Sequence, residues 1–316
     1  MIGLIIKSTG SSYWVHTDEG KDIECHVKGN MRIRGIRTTS PVAVGDYVSV
    51  EQQADGTSWI TDIEPRKNYI IRRSTNLSKE SHILACNLDQ VALIVTIRHP
   101  ETSTTFIDRF LATAEAYRVP AMLIFNKVDL LTEEEQNTLS ELRSLYEALG
   151  YPTLAICACQ LRDAKGSESP AYHILSEALA NKVTLLAGNS GVGKSTLLNA
   201  IFGEEKTRTG AISSAHDKGM HTTTFSEMYP LPDSSGWLID TPGIKGFGAV
   251  KMEKEEVGHY FREIFQSARN CRYGNCLHTG EPGCAVEQDV VNGKIAASRF
   301  ESYLSLLGDC EESKYR

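Results

Sequence analysis

The octapeptide Gly188-Asn189-Ser190-Gly191-Val192-Gly193-Lys194-Ser195 restricts this chain's fold more than any other feature. It follows an apolar run, Val183–Ala187, and precedes a stretch with helical spacing that continues to about Phe202. Gly-x-x-x-x-Gly-Lys-Ser between a strand and a helix is a phosphate-binding loop, which implies a parallel α/β sheet. Its glycines let backbone N–H groups turn inward around the α- and β-phosphates. Lys194 is expected at the β- and γ-phosphates, and the Ser195 hydroxyl on Mg²⁺. The helix that starts at Lys194 and carries Thr196 adds its positive dipole end to the same anion.

The loop alone does not select a base, so an ATP-using phosphotransferase is an open rival. Asn126-Lys127-Val128-Asp129 argues against it. The tetrapeptide directly follows the apolar run Ala121–Phe125, and Asn-Lys-x-Asp is a guanine reader. Its aspartate accepts two hydrogen bonds, from the ring N–H and the exocyclic amine. Adenine lacks that donor pair and would leave the carboxylate unpaired. Ile156-Cys157-Ala158 stands where GTPases carry Ser-Ala, whose backbone touches the guanine oxygen, so Cys157 and Ala158 join the expected base contacts.

Asp240-Thr241-Pro242-Gly243 ends the apolar stretch Trp237–Ile239. An aspartate there holds Mg²⁺ through water, while the Gly243 N–H senses the γ-phosphate. Thr222-Thr223-Thr224 lies between the phosphate loop and Asp240, as a first switch must, and one of its hydroxyls is expected to complete the Mg²⁺ shell. Ile244 occupies the place where many GTPases put the glutamine that orients the attacking water. An isoleucine cannot do this, and His221, next to the threonines, is the nearest polar candidate for the catalytic role.

The motif order is unusual, because Asn126–Asp129 precedes Gly188–Ser195. The set is complete but circularly permuted, with Gln160–Ala180 joining what would otherwise be the termini. Permutation is tolerable because domain termini lie close together at the surface. Around the motifs, apolar and helical segments alternate from Asn87 onward: Val91–Ile97, Phe106–Tyr117, Ala121–Phe125, a helix Glu133–Leu149 with a Thr132-x-x-Glu135 capping box, Leu154–Ala158 and Tyr172–Ala180. This predicts a sheet covered by helices on both faces.

Upstream, the first 65 residues read as five short strands, Gly3–Lys7, Tyr13–His16, Ile23–Lys28, Asp46–Glu51 and Ser58–Ile63. They fit a small OB-fold barrel, and the pattern also admits an SH3-like one. Downstream, Glu255–Ala268 and Val286–Leu307 read as helices flanking a cysteine-rich turn. The expected organisation is therefore a multidomain α/β protein: an OB-fold RNA-binding barrel over 1–66, a permuted GTPase domain over 67–250, and a helical zinc-binding domain over 251–316.

Cys271-x₄-Cys276-x-His278-x₅-Cys284 offers three thiolates and an imidazole, the ligand set of a closed structural Zn²⁺ site. Buried free cysteines beside an unrelated histidine are the weaker alternative. With eight cysteines in a chain of 316 residues that has no secretory leader or bilayer-length apolar run, the expected setting is cytoplasmic, free of membrane and with free thiols. The net charge of −7 argues against non-specific nucleic-acid binding. Local charge differs: Lys28, Arg32, Arg34 and Arg37 form one basic cluster, and Arg66, Lys67, Arg72, Arg73 and Lys79 a second. A solvated basic face is the plain reading of one cluster; two make RNA a candidate partner, with Lys28, Arg32, Arg34, Arg37, Arg72 and Arg73 as contacts. An RNA-binding module with a merely structural nucleotide is the non-enzymatic alternative.

Taken together, the barrel, Asn126–Asp129, Gly188–Ser195, Gly219-Met220-His221-Thr222-Thr223-Thr224, Asp240–Gly243 and the Cys-Cys-His-Cys cluster resemble the RsgA (YjeQ) family of circularly permuted GTPases. The resemblance spans nearly the whole chain. It departs at Met220, where the family usually has a basic residue, and at Cys157, where it has serine. It implies a monomeric late factor in small ribosomal subunit maturation that binds the subunit and its rRNA. It also implies that the subunit stimulates hydrolysis of GTP to GDP and phosphate, that His221 is catalytic, and that Thr223 is the magnesium threonine.

Overall fold

The computed structural model describes residues 1–9, 12–27, 41–73, 81–163, 165–203, 226–240 and 252–312. The basic residues Lys28, Arg32, Arg34 and Arg37 lie outside these segments, as do His221, Thr222, Thr223, Thr224 and Gly243.

The N-terminal strands alternate inward and outward side chains and close on themselves. Strands β1 (Ile2–Ser8), β2 (Tyr13–Thr17), β3 (Asp22–Val27), β4 (Tyr47–Gln52) and β5 (Ser58–Ile63) run in the order β1-β2-β3-β5-β4, with β4 returning to β1. The β3–β5 pairing is parallel and the others antiparallel, which gives an OB-like barrel. Ile5, Tyr13, Val15, Cys25, Val48, Val50 and Ile60 fill its interior.

A hairpin, β6 (Tyr69–Arg73) and β7 (Ser81–Cys86), follows as a separate two-stranded sheet. Sequence reading saw only the basic cluster there, because the arginines at its tip mask the Tyr69–Ile71 pattern. Arg66 ties this region to the barrel through a buried bidentate pair with Asp46, at 2.6 Å from both carboxylate oxygens.

The central sheet comprises β8 (Gln90–Val95), β9 (Ala121–Phe125), β10 (Thr153–Ala155), β11 (Val183–Ala187), β12 (Glu227–Pro230) and β13 (Trp237–Asp240), in the order β10-β9-β8-β11-β13-β12. All pairings are parallel except β12–β13. Both faces of β8 and β9 are buried, as their unbroken apolar sequences require. Val91, Leu93 and Val95 pack on the face covered by α1 (Thr104–Ala116) and α2 (Glu133–Ala148). Ala92 and Ile94 face α3 (Pro170–Leu179) and α4 (Lys194–Phe202). The capping box forms: Thr132 Oγ1 accepts from the Glu135 N–H, and the Thr132 N–H donates back to Glu135 Oε2. Gly150 ends α2 with φ of 82°.

Strand β12 was not foreseen, since four residues ending in a proline give little periodicity. It pairs antiparallel with β13 and also with β1, opposing Glu227 to Lys7, so barrel and central sheet form one eleven-stranded sheet.

The two long C-terminal helices expected from sequence are each divided. Glu255–Ala268 becomes α5 (Lys254–Val257), a tight turn over Gly258–Tyr260, and α6 (Arg262–Ala268), because Phe261 is extended at φ −111°, ψ 104°. Val286–Leu307 becomes α7 (Ala285–Val291) and α8 (Ala297–Glu312), separated at Gly293, whose φ of 72° ends the first helix. These helices seat on α1. Arg299, 1% exposed, donates from Nη1 to Asp108 Oδ1 (2.9 Å) and from Nε to Glu263 Oε1 (2.6 Å). Tyr146 donates its hydroxyl to the same Asp108 oxygen at 2.9 Å, so α1, α2, α6 and α8 meet in one buried polar cluster. Despite the cost of burial, the two carboxylates hold the Arg299 guanidinium fully charged.

Candidate nucleotide and metal sites

The phosphate loop lies between β11 and α4, as its sequence requires. Gly188, Gly191 and Gly193 have φ of 148°, 83° and 99°, values that side chains disfavour. A Cβ on Gly188 would sit 2.6 Å from the Ile94 carbonyl oxygen, and one on Gly193 would sit 2.3 Å from Asn126 Nδ2. The loop can therefore follow this path only with glycine at both places. Lys194 folds back over the loop, donating to the carbonyl oxygens of Gly188 (2.5 Å) and Asn189 (3.0 Å). Burial pushes its ammonium pKa down, and the Asp240 carboxylate opposes that shift. Asp240 ends β13, level with Leu186 on the parallel neighbour β11, which sets it beside the loop.

Asn126 binds the base side to the phosphate side. It is buried, its Nδ2 donates to the Val192 carbonyl at 2.8 Å, and its Oδ1 accepts from the Ala158 N–H at 2.9 Å. One side chain thus joins three motifs that are far apart in sequence. Lys127, at a left-handed φ of 62°, donates to the Gly191 carbonyl at 2.7 Å and to that of His99 at 2.5 Å. The His99-Pro100 segment was missed by sequence reasoning; Pro100 lies within 3.4 Å of where a Gly191 Cβ would stand. No local pattern announces it, because its role depends on β8 lying beside β11.

Asp129 sits exposed in a turn over Val128–Leu130. The strand expected over Leu154–Ala158 stops at Ala155, so Cys157 and Ala158 belong to the following loop and a turn over Ala158–Gln160. That early end turns the Ala158 N–H toward Asn126 and brings Cys157, Cys159 and Asp129 together, their sulfur and carboxylate atoms within 4.8 Å of one another. Asn126 thereby joins the turn that carries Asp129 and the turn that carries Ala158 to the loop over Gly188–Ser195.

Cys271, Cys276, His278 and Cys284 also converge, their donor atoms within 4.8 Å of one another. Nδ1 of His278 lies 3.3 Å from the Cys284 sulfur and 3.6 Å from that of Cys271. His278 takes φ of 61°, which the tight turn between the ligands demands. Backbone N–H groups of Ala285 and Glu287 point at the sulfurs of Cys271 (3.3 Å) and Cys284 (3.4 Å), the donors that thiolates need. Glu281 accepts from the N–H groups of Leu277 and Thr279, both at 2.7 Å, and the Tyr303 hydroxyl donates to the Leu277 carbonyl at 2.6 Å, bracing the turn. Three sulfurs and one imidazole, mutually close, with His278 and Cys284 buried and Cys271 and Cys276 half-buried, fit a metal centre without an open position.

Arg72 and Arg73 lie on β6, within the hairpin. No helix among the described residues is long and apolar enough to cross a membrane.

Comparison with known proteins agrees with this geometry. Residues 63–250 match the RsgA GTPase family and residues 2–60 the RsgA N-terminal domain. A relative from Phocaeicola vulgatus, named Small ribosomal subunit biogenesis GTPase RsgA, is 58% identical over 316 residues, covering 100% of this chain and 99% of that protein. One of the same name from Porphyromonas gingivalis is 54% identical over 320 residues, with the same coverage. The crystal structure of YjeQ from Thermotoga maritima superposes with a TM-score of 0.76 at 32% identity, covering 98% of each chain. That of YloQ, a circularly permuted GTPase, gives 0.74 at 28% identity, covering 100% of this chain and 96% of the other. With its motifs in permuted order on one sheet, this chain belongs to the RsgA family of GTPases.

Proposed function

We propose that this chain hydrolyses GTP to GDP and phosphate as a maturation factor of the small ribosomal subunit, working as a cytoplasmic monomer. The observation that carries the reading is the Asn126 junction, which locks a guanine-type loop to a phosphate loop across a permuted sheet. The names of its relatives supply the subunit.

In this reading Asn126, Lys127, Val128, Asp129, Cys157 and Ala158 receive the base. Gly188, Asn189, Ser190, Gly191, Val192, Gly193, Lys194, Ser195 and Thr196 receive the phosphates. Lys194 would exchange its two carbonyl partners for β- and γ-phosphate oxygens, which explains why it waits folded over the loop. Ser195 and Thr223 would hold Mg²⁺ directly and Asp240 through water. Mg²⁺, when bound, supplies positive charge to the phosphates. Thr222, Thr224 and Gly243 complete the γ-phosphate surroundings, and His221 orients the attacking water.

Cys271, Cys276, His278 and Cys284 would hold one structural Zn²⁺, since three thiolates and a histidine without an open position match its preference. The barrel over 1–66, the GTPase part over 67–250 and the metal-bearing helices over 251–316 are the working divisions. Lys28, Arg32, Arg34, Arg37, Arg72 and Arg73 would meet rRNA phosphates.

The test is GTP turnover measured alone, with purified small subunits, and with large subunits. The reading expects a rise with small subunits only. Turnover that small subunits leave unchanged would overturn the partner, and equal turnover of ATP would overturn the base.

A further inference from the structure

The loop that reads the base carries two thiols whose proximity the nucleotide chemistry does not require. Cys157 and Cys159 flank Ala158, and their sulfurs lie 3.0 Å apart. Cys159 is exposed, whereas Cys157 is buried at 8% exposure. Neither is among the four converging residues Cys271, Cys276, His278 and Cys284, and both lie past the end of β10, in a turn where the Gln160 N–H donates to the Cys157 carbonyl at 2.9 Å. Joining the sulfurs asks for a change confined to this turn, beyond the bond from the Ile156 N–H to the Phe125 carbonyl at 2.8 Å, and the Ala158 N–H held by Asn126 is the contact in its way.

We infer that Cys157 and Cys159 form a reversible thiol–disulfide switch which, when oxidised by a peroxide, lowers the affinity of this site for guanine nucleotides. The inference rests on the guanine reading above. An exposed thiol poised beside a resolving thiol is the arrangement of redox-sensing cysteines. Disulfides in cytosolic proteins are characteristically transient in this way.

The Cys159 thiolate attacks one peroxide oxygen, the O–O bond breaks, and Cys159 becomes a sulfenic acid as one water forms. The Cys157 sulfur then attacks the Cys159 sulfur, the S–O bond breaks, and a second water leaves. Two thiols are oxidised to one disulfide and one peroxide is reduced to two waters. A dithiol reductant reverses the step by exchange. The division of labour follows from the surroundings: burial, with added effects from Asp129 and Cys159, pushes the Cys157 thiol up to about 12. Cys157 therefore waits as the resolving partner while Cys159 meets the oxidant.

The structure also shows why closure matters. A Cys-x-Cys disulfide makes a small ring through the Ala158 peptide, and such a ring sets the torsions of the residue inside it. The Ala158 N–H is the group held by Asn126, whose other end holds the phosphate loop. Closure turns that N–H away from Asn126, and it consumes the Cys157 S–H that faces Asp129. Both supports of the base site are lost together.

The experiment uses the full-length, zinc-replete protein. Reduced protein is treated with hydrogen peroxide, quenched with an alkylating agent, and divided between peptide mapping and titration with fluorescent GDP. The tryptic fragment 144–162 contains these two cysteines and no others, so the disulfide appears there as an unalkylated peptide two hydrogens lighter. We expect that species, a loss of GDP affinity of roughly tenfold or more, and recovery on adding dithiothreitol. Cys159→Ser, an exposed change, should bind GDP like the reduced parent and ignore peroxide. A fragment that stays fully alkylated, a disulfide without change in affinity, or a Cys159→Ser protein that responds equally would each overturn the inference. A reduced parent with no preference for guanine over adenine nucleotides would instead overturn the guanine reading.

Discussion

Replacing Asn126 by alanine tests the junction on which the site depends. The side chain is 4% exposed and makes two hydrogen bonds, one to the Val192 carbonyl and one from the Ala158 N–H, at 2.8 and 2.9 Å. Val192 and Ala158 are themselves buried, so truncation strands one acceptor and one donor away from water. Each such orphan costs about 1–3 kcal/mol, and the pair about 2–6 kcal/mol if no water enters. Part of this appears as loosening of the loop before nucleotide arrives, and that part must be recovered on binding. If the whole lower bound must be recovered on binding, GDP affinity weakens roughly 30-fold, and proportionately less if only part of it must be. The assay is a fluorescent-GDP titration paired with amide hydrogen exchange, which should show faster exchange at Ala158 and in the phosphate loop. Asn126→Asp sharpens the test. It keeps an acceptor for the Ala158 N–H but sets an oxygen against the Val192 oxygen, so phosphate-loop order should fall while exchange at Ala158 stays slow. Affinity within twofold of the parent in Asn126→Ala, with unchanged exchange, would refute the reasoning.

Four further outcomes test other residues of the proposed reading and of the fold. Asp129→Asn should weaken GTP and favour xanthosine nucleotides in competition binding, because an amide can donate to the new carbonyl. His221→Ala should bind GTP nearly as the parent does yet hydrolyse it on the order of 100-fold more slowly in single-turnover assays, since water orientation matters mainly in the transition state. Cys284→Ala should lose the bound metal, one zinc per chain in the proposed reading, by elemental analysis and release the C-terminal helices to protease while GDP binding persists. Arg299→Met should destabilise the protein by about 3–5 kcal/mol in denaturant, because Asp108 is left buried and charged. Adding Asp108→Asn should restore much of that loss.

What the sequence disclosed was governed by range. The phosphate loop, the guanine motif and the Cys-Cys-His-Cys cluster are local patterns, and their residues lie where the spacing puts them. The capping box at Thr132 is equally local and formed as read. The contacts that join these patterns are not local. That Asn126 reaches Val192 depends on β8 lying between β9 and β11, and no window around either residue contains that order. The Arg299–Asp108 pair spans most of the chain and was likewise invisible. The divided C-terminal helices failed for another reason: the extended Phe261 and the left-handed Gly293 interrupt a periodicity that otherwise continues across them. Cys157 could be placed in the base loop, but its contact with Cys159 required the strand to stop at Ala155.

The continuity of the eleven-stranded sheet bears on how the protein can be dissected. Family matches separate near residue 60, and a scissile point there looks natural. Yet β12 has β13 on one side and β1 of the barrel on the other, with Lys7 bonded to Glu227 across the join at 3.1 Å. The ring of His16 also meets that of Trp237 edge-on at 5.2 Å. Removing the barrel converts β12 from an interior strand into a rim with bare N–H and C=O groups. A barrel-free fragment therefore carries a new surface for strand-to-strand association, and its solubility would reflect that rim rather than the integrity of the nucleotide site. The short length of β12, the charge of Glu227 and the terminal Pro230 limit the danger without abolishing it.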